Sequence, residues 1–102
     1  MIRHIVFFTV SNPEHLDAVR AGLSILTENS HALKLEIGTN LKTDQLGGEV
    51  DFIVYGEFAD ETALAAYKAH PLYQQSIDLV RPLREMRIAA DYDTADAATA
   101  PL

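Results

Sequence analysis

Two short stretches gather the residues of this chain best suited to proton chemistry. His4 stands near the N-terminus in Ile2-Arg3-His4-Ile5-Val6, and Tyr67, His70 and Tyr73 fall within Tyr67-Lys68-Ala69-His70-Pro71-Leu72-Tyr73. An imidazole titrates nearest neutral pH, so His4 is a candidate acid–base or hydrogen-bonding group. A phenol is a natural donor or acceptor beside it, which makes Tyr67 the second candidate catalytic residue. Each has a plainer reading. His4 shares its face with Ile2 and Val6 and can be a core histidine satisfied by a tyrosine hydroxyl; Tyr67 can be a core aromatic whose hydroxyl is tied up. His70 falls at a helix end, where it can cap the helix or face a ligand, and Tyr73 can line a pocket mouth or pack its helix. Val6, Val54 and Ile77 are candidate apolar lining for such a pocket and are equally well explained as core.

Other chemistry lacks support. His15 and His31 read as surface groups, and none of the four histidines has H-x₃-H or H-E-x-x-H spacing, so no metal is expected. The chain has no cysteine, which excludes thiol catalysis and disulfides. G-x-S-x-G, P-loop and G-x-G-x-x-G patterns are missing, Gly47-Gly48 reads as a turn, and no cofactor is expected. Fifteen acidic against eight basic residues give a net charge of −7, the wrong sign for tracking phosphates, so nucleic acid is not an expected partner. No apolar run approaches the roughly 18 residues of a membrane span. The apolar start is too short for a secretory signal, and the expectation is a cytoplasmic protein.

The elements that must position His4 and Tyr67 follow from hydrophobic patterning. At 102 residues, 48% of them hydrophobic and 23% charged, the chain is sized for one globular domain. Residues 2–10 are nearly continuously apolar and β-branched or aromatic, a strand buried on both faces. Asn12 is suited to an N-cap and Pro13 to a first helical turn, before Leu16, Val19, Leu23 and Leu26 mark one helical stripe. Residues 33–37 alternate as a second strand, and 50–58 form a third, with Phe52, Val54 and Phe58 on one face and Ile53 and Tyr55 on the other. Asp60 caps a second helix carrying Leu64 and Tyr67. Pro71 interrupts it and pushes His70 out of helical dihedrals, a short helix over 72–80 follows, and 86–92 form the last strand. The domain therefore spans 1–92, and the tail, 93–102, has no apolar pattern and is expected to be disordered.

The order β-α-β-β-α-β is the ferredoxin-like arrangement, an α+β fold with an antiparallel sheet. Helices of this number cover one sheet face, yet the first and third strands are apolar on both. The uncovered patch exceeds what soluble monomers usually tolerate, which predicts a homodimer packed sheet against sheet. An RNA-recognition domain shares the order. Here, however, 50–58 lacks the leading Lys/Arg-Gly of its signature, and the charge opposes RNA.

His4-Ile5-Val6 at the start, Phe58 before Asp60, the Tyr67-x-x-His70-Pro71 motif and Asp91-Tyr92 at the end together resemble the stress-responsive dimeric α/β barrel (Dabb) family, over about residues 1–92. The resemblance implies a ferredoxin-like protomer whose sheets pair face to face into a dimeric barrel. Plant members of the family include polyketide cyclases. In those enzymes a first-strand histidine, the motif tyrosine and a histidine two residues after the motif proline serve an intramolecular aldol closure. The first two correspond to His4 and Tyr67, and the third position is Tyr73, a phenol in place of an imidazole. The resemblance thus implies a homodimer with a small apolar pocket in each protomer, for a hydrophobic small molecule or for cyclase-like chemistry. The alternative is a non-catalytic stress-associated structural or interaction protein in which His4 and Tyr67 satisfy each other.

Overall fold

Strand β1 (Ile2–Phe8) sends Ile2, His4, Val6 and Phe8 into the core and Arg3, Ile5 and Phe7 to the opposite face, as the pleat of a strand requires. It ends earlier than its apolar run suggests, because the Val10 N–H donates to the Asp51 carboxylate at 2.7 Å instead of continuing the ladder. The computed structural model describes residues 1–101. Asn12 caps a 3₁₀ turn at Pro13–His15, its side chain accepting from the Glu14 N–H at 3.0 Å. Helix α1 (Leu16–Ser24) follows and tightens into a 3₁₀ turn at Ile25–Glu28. Val19, Leu23 and Leu26 are buried along the expected stripe.

Strand β2 (Lys34–Thr39) starts one residue later than expected and runs past Ile37, leaving Leu33 exposed. Strand β3 (Phe52–Phe58) begins at the first buried aromatic and keeps the expected alternation. Asp60 caps α2 (Glu61–Ala69) by accepting from the Ala63 N–H at 2.8 Å. His70 then adopts φ −70°, ψ 142°, the extended conformation that a following proline favours, and its Nδ1 accepts from the Leu72 N–H at 3.1 Å. That cap opens α3 (Pro71–Val80), so the proline divides one long amphipathic segment into two helices. Strand β4 (Arg87–Asp93) closes the chain order.

The four strands are antiparallel in the order β2-β3-β1-β4, a ferredoxin-like α+β fold. The helices lie on one face and pack chiefly over β2 and β3. Two consequences matter for function. Edge strand β4 carries no helix, so its inward residues Arg87, Ala89 and Asp91 remain exposed and the layer between sheet and helices gapes on that side. The outer face is also bare. Registers Phe7↔Ile53 and Phe7↔Ile88, with Ile5↔Tyr55 and Ile5↔Ala90, make an apolar stripe across three strands.

Gly56 lies opposite His4 in the ladder, and a Cβ there would come within 2.7 Å of the Phe58 ring and 3.1 Å of Leu35. Both neighbours are held by the core. Gly56→Ala is therefore expected to cost about 1–3 kcal/mol by overpacking, measurable by urea unfolding.

At the other end, β4 runs through Asp93, whose carboxylate lies 3.5 Å from the terminal ammonium, while the Thr94 N–H donates to the Met1 carbonyl at 2.9 Å. A 3₁₀ turn occupies Thr94–Asp96. Residues 97–101 are exposed without regular structure, and Leu102, the end of the tail expected to be disordered, lies outside the described residues. Deleting 97–102 is expected to leave the melting temperature unchanged within a degree or so. Deleting from Asp93 onward should lower it by several degrees, corresponding to about 1 kcal/mol.

Candidate functional site

The gap beside β4 is a cavity of about 350 Å³, at the lower end of the range for small-molecule sites. Its floor is the inner face of β1 and β3, with Val6 and Val54 buried there. Leu23 and Leu26 close the far end, and α2 and α3 form the roof with Tyr67, Tyr73 and Ile77. His4 sits in the wall, almost fully buried at 1% exposure.

The partner of His4 is Asp91. The antiparallel register sets the two residues opposite each other, and His4 Nδ1 lies 2.5 Å from Asp91 Oδ1. An ionised carboxylate only accepts, so the hydrogen is on Nδ1 and the lone pair of the neutral ring is on Nε2. Tyr67 does not hydrogen-bond His4. Their rings meet edge to face with centroids 6.2 Å apart, and Phe58 packs against both. The reading in which His4 and Tyr67 satisfy each other is thus corrected: the polar atom nearest His4 comes from the neighbouring strand. The only side-chain N or O atom sealed from solvent without a partner, among the described residues, is Arg3 Nε on the opposite face. Nε2 of His4 and Oη of Tyr67 have no protein partner among the described residues, and both side chains line the cavity.

Of the residues singled out in the sequence, His4, Tyr67, Val6, Val54, Tyr73 and Ile77 all line this cavity. His70 does not. Its Nδ1 caps α3, and its ring meets His31 edge to face with centroids 5.8 Å apart. Tyr73 stacks edge to face on Tyr67 at 5.2 Å, and its hydroxyl accepts from Arg87 at 3.3 Å. Sequence reasoning used Asp91 only for the family resemblance and gave it no role at the site, and it missed the cations at the mouth, Lys68, Arg81, Arg84 and Arg87. The arginines recur every third residue around Pro82, a visible signal in so acidic a chain.

Residues 2–94 match the Stress responsive A/B Barrel Domain family, Dabb. The chain belongs to the Dabb family. No curated protein matches it in sequence. Among solved structures, this Dabb domain is similar to a dimeric ferredoxin-like protein of unknown function from Thermobifida fusca. The identity is 24% and the TM-score 0.75, with 89% of this chain and 88% of that one covered. A protein from Arabidopsis thaliana aligns over 100% of both chains at 16% identity and a TM-score of 0.75. An antibiotic biosynthesis monooxygenase aligns over 92% of this chain and 98% of its own, at 19% identity and a TM-score of 0.72. At these identities the likeness is one of fold. Among the described residues of the Dabb domain, no helix is long and apolar enough to cross a membrane.

The electrostatics of the Dabb cavity keep its two polar groups in defined states. Burial pushes the His4 pKa below its ordinary value, opposed by the hydrogen bond and charge of Asp91 and reinforced by Lys68 and Arg87. Burial pushes the Tyr67 phenol well up, with Tyr73 adding to the effect. At neutral pH the site thus presents an unprotonated Nε2 and a protonated hydroxyl. Because the native site resists a proton that the unfolded chain accepts near pH 6.5, its contribution to stability is complete above that pH. It is lost as pH falls through the depressed native value. The urea midpoint is accordingly expected to fall between about pH 7 and about pH 5, with a shallower slope in His4→Gln.

Proposed function

We propose that this Dabb protein is a proton-transfer enzyme that enolises a small carbonyl substrate held in the cavity, with His4 as general base. In this reaction the C–H bond next to the carbonyl breaks, the proton passes to His4 Nε2, and the electron pair becomes the double bond of an enolate. The Asp91 carboxylate stabilises the imidazolium so formed. The Tyr67 hydroxyl, still protonated, donates to the developing oxyanion. The enolate then recovers a proton, or attacks a second carbonyl of the same molecule when one is in reach, which is the aldol closure known from cyclases of this family.

The observation that carries this reading is the 2.5 Å contact between His4 Nδ1 and Asp91, with Nε2 left to the cavity. A structural histidine gains nothing from an unpartnered nitrogen at a pocket wall, whereas a base needs one. The Asp91 dyad also answers the change at Tyr73. An imidazole oriented by a carboxylate is a competent base without the second histidine. No serine is poised as a nucleophile in the cavity, since the Ser76 hydroxyl donates to the Gly22 carbonyl at 2.9 Å.

The working form is a homodimer joined through the bare face of the sheet. Phe7, Ile88 and Tyr92 are 39%, 51% and 41% exposed there, a stripe that a second copy would cover. The loop after β2 extends it. Leu46 and Gly47 form, with Phe7 and Ile53, a groove of about 420 Å³ beside the stripe. The dimeric state of the Thermobifida fusca protein supports the same assembly.

The test of the chemistry is exchange of the α-protons of 2-octanone and 7-oxooctanoate in D₂O, followed by proton NMR. Wild-type protein should accelerate exchange of at least one of them, and His4→Ala should return it to the buffer rate. Exchange that is equal with and without protein, or unaffected by His4→Ala, would overturn the proposal.

A further inference from the structure

The cavity mouth carries charge that the proton-transfer reading leaves without a role. The chain holds eight Lys and Arg residues, and four of them, Lys68, Arg81, Arg84 and Arg87, line this one cavity. Among the described residues the lining includes no carboxylate, and that of Asp91 is bonded to His4. None of the four at the mouth is ion-paired among the described residues; of the other four, Lys34 pairs with Glu36 at 3.6 Å and Lys42 with Asp51 at 3.0 Å, Arg3 donates to the Tyr92 hydroxyl, and Arg20 has no carboxylate partner. Arg87 spends one N–H on the Tyr73 hydroxyl and Arg84 one on the Glu85 carbonyl, both neutral acceptors. What sets the rim apart is clustering: in a chain of net charge −7, half of all the cations surround one cavity.

The cavity is also graded. Its inner end is aliphatic, with Leu23, Leu26, Val54 and Val80 all buried, and its charged groups stand at the opening between α3 and β4. Arg81 and Arg84 flank Pro82 on the turn that follows α3, and Arg87 opens β4, so three guanidiniums rise from one short connection. Guanidinium groups suit carboxylate and phosphate oxygens, because their planar N–H fork matches two oxygens at once.

We propose that the cavity selects an anionic amphiphile, an apolar chain or ring entering first and a carboxylate or phosphate held at the mouth by Arg81, Arg84, Lys68 and Arg87. This deepens the assignment of the cavity as a substrate site and takes the same cavity as given, but it makes no use of His4 as a base. The acidic remainder of the surface would repel such a ligand elsewhere, so the cationic rim both attracts the head group and fixes which end enters.

Isothermal titration with octanoate, octyl phosphate, 1-octanol and octylamine tests the inference, since the four share a chain and differ in the head. The anionic probes are expected to bind at least about tenfold tighter than octanol at low salt, with octylamine weakest. Raising the salt to about 0.5 M should weaken the anions severalfold and leave octanol unchanged. The relative strength of octanoate and octyl phosphate distinguishes a carboxylate site from a phosphate site. In the Arg81→Gln/Arg84→Gln double variant the preference for anions should fall by about tenfold, and Lys68→Gln/Arg87→Gln provides a second variant should the first fold poorly. Equal affinity for octanoate and octanol, tighter octylamine binding, binding of none of the four, or an anion preference untouched in both double variants would overturn the proposal. His4→Ala separates it from the catalytic reading: that variant should keep the anion preference while losing proton exchange. Anion binding without exchange in wild type would remove only the base.

Discussion

Asp91→Asn is expected to lower His4-dependent proton exchange by about 10²–10⁴-fold, the usual worth of a positioned general base. The asparagine keeps the shape of the side chain and removes what matters. With its amide nitrogen toward the ring it donates to Nδ1, which drives the hydrogen onto Nε2 and leaves no lone pair facing the cavity. With its oxygen toward the ring it preserves the tautomer but lacks the charge that stabilises the imidazolium. Either way the base is weakened, although Asp91 touches no substrate. Its role is to position and polarise His4. Asp91 is 38% exposed, so the amide remains solvated and the fold should tolerate it, with a melting temperature close to wild type. A merely structural Asp91 would show the reverse pattern, a lowered melting temperature with exchange unchanged. The pH profile gives an independent readout. Exchange by wild type should rise with pH to a plateau once the depressed His4 titration is passed, and in Asp91→Asn the rise should shift to lower pH, because the group that favours the imidazolium is gone.

Phe7→Asp is expected to convert a dimer into monomers at micromolar concentration. Phe7 lies between Ile53 and Ile88 in the middle of the bare stripe, so in a sheet-to-sheet dimer its substitution buries a carboxylate from each copy in an apolar interface. The desolvation of two unpaired charges costs several kcal/mol, enough to raise the dissociation constant by about a thousandfold or more. The protomer should survive, since the side chain is 39% exposed and points away from the helices. Light scattering at about 10 µM reads the outcome directly. A wild-type protein already monomeric there, or a variant still dimeric, would refute the assembly. Ile88→Asp, one strand over, should behave alike.

Much of the architecture is written locally. The alternation in β1 and β3, the Asn12 and Asp60 caps and the break at Pro71 each depend on a few neighbouring residues, and each is where the pattern puts it. Ends of strands are less local. β1 stops where the Asp51 side chain captures the Val10 N–H, and β2 drops Leu33, choices made by contacts distant in sequence. Six of the seven residues singled out for the site line the cavity because each stands on the inward face of a periodic element, and periodicity is visible without a structure. His70 is the exception. The same proline that marked it also made it a cap, with its Nδ1 committed to the backbone.

Which side chains face inward, where the helices begin and break, and that one sheet face stays bare were all legible in residue order, because these follow from periods of 2 and 3.6 residues and from cap chemistry. The pairing of His4 with Asp91, 87 residues away, came from the fold instead. That pairing rests on the register of β1 against β4, and a slip of a single residue would turn Asp91 to the opposite face. Tertiary structure likewise gave the arginines around Pro82 their meaning. They become the mouth of a cavity because β4 lies at the sheet edge with no helix above it, and an edge is a property of strand order, which no local spacing encodes.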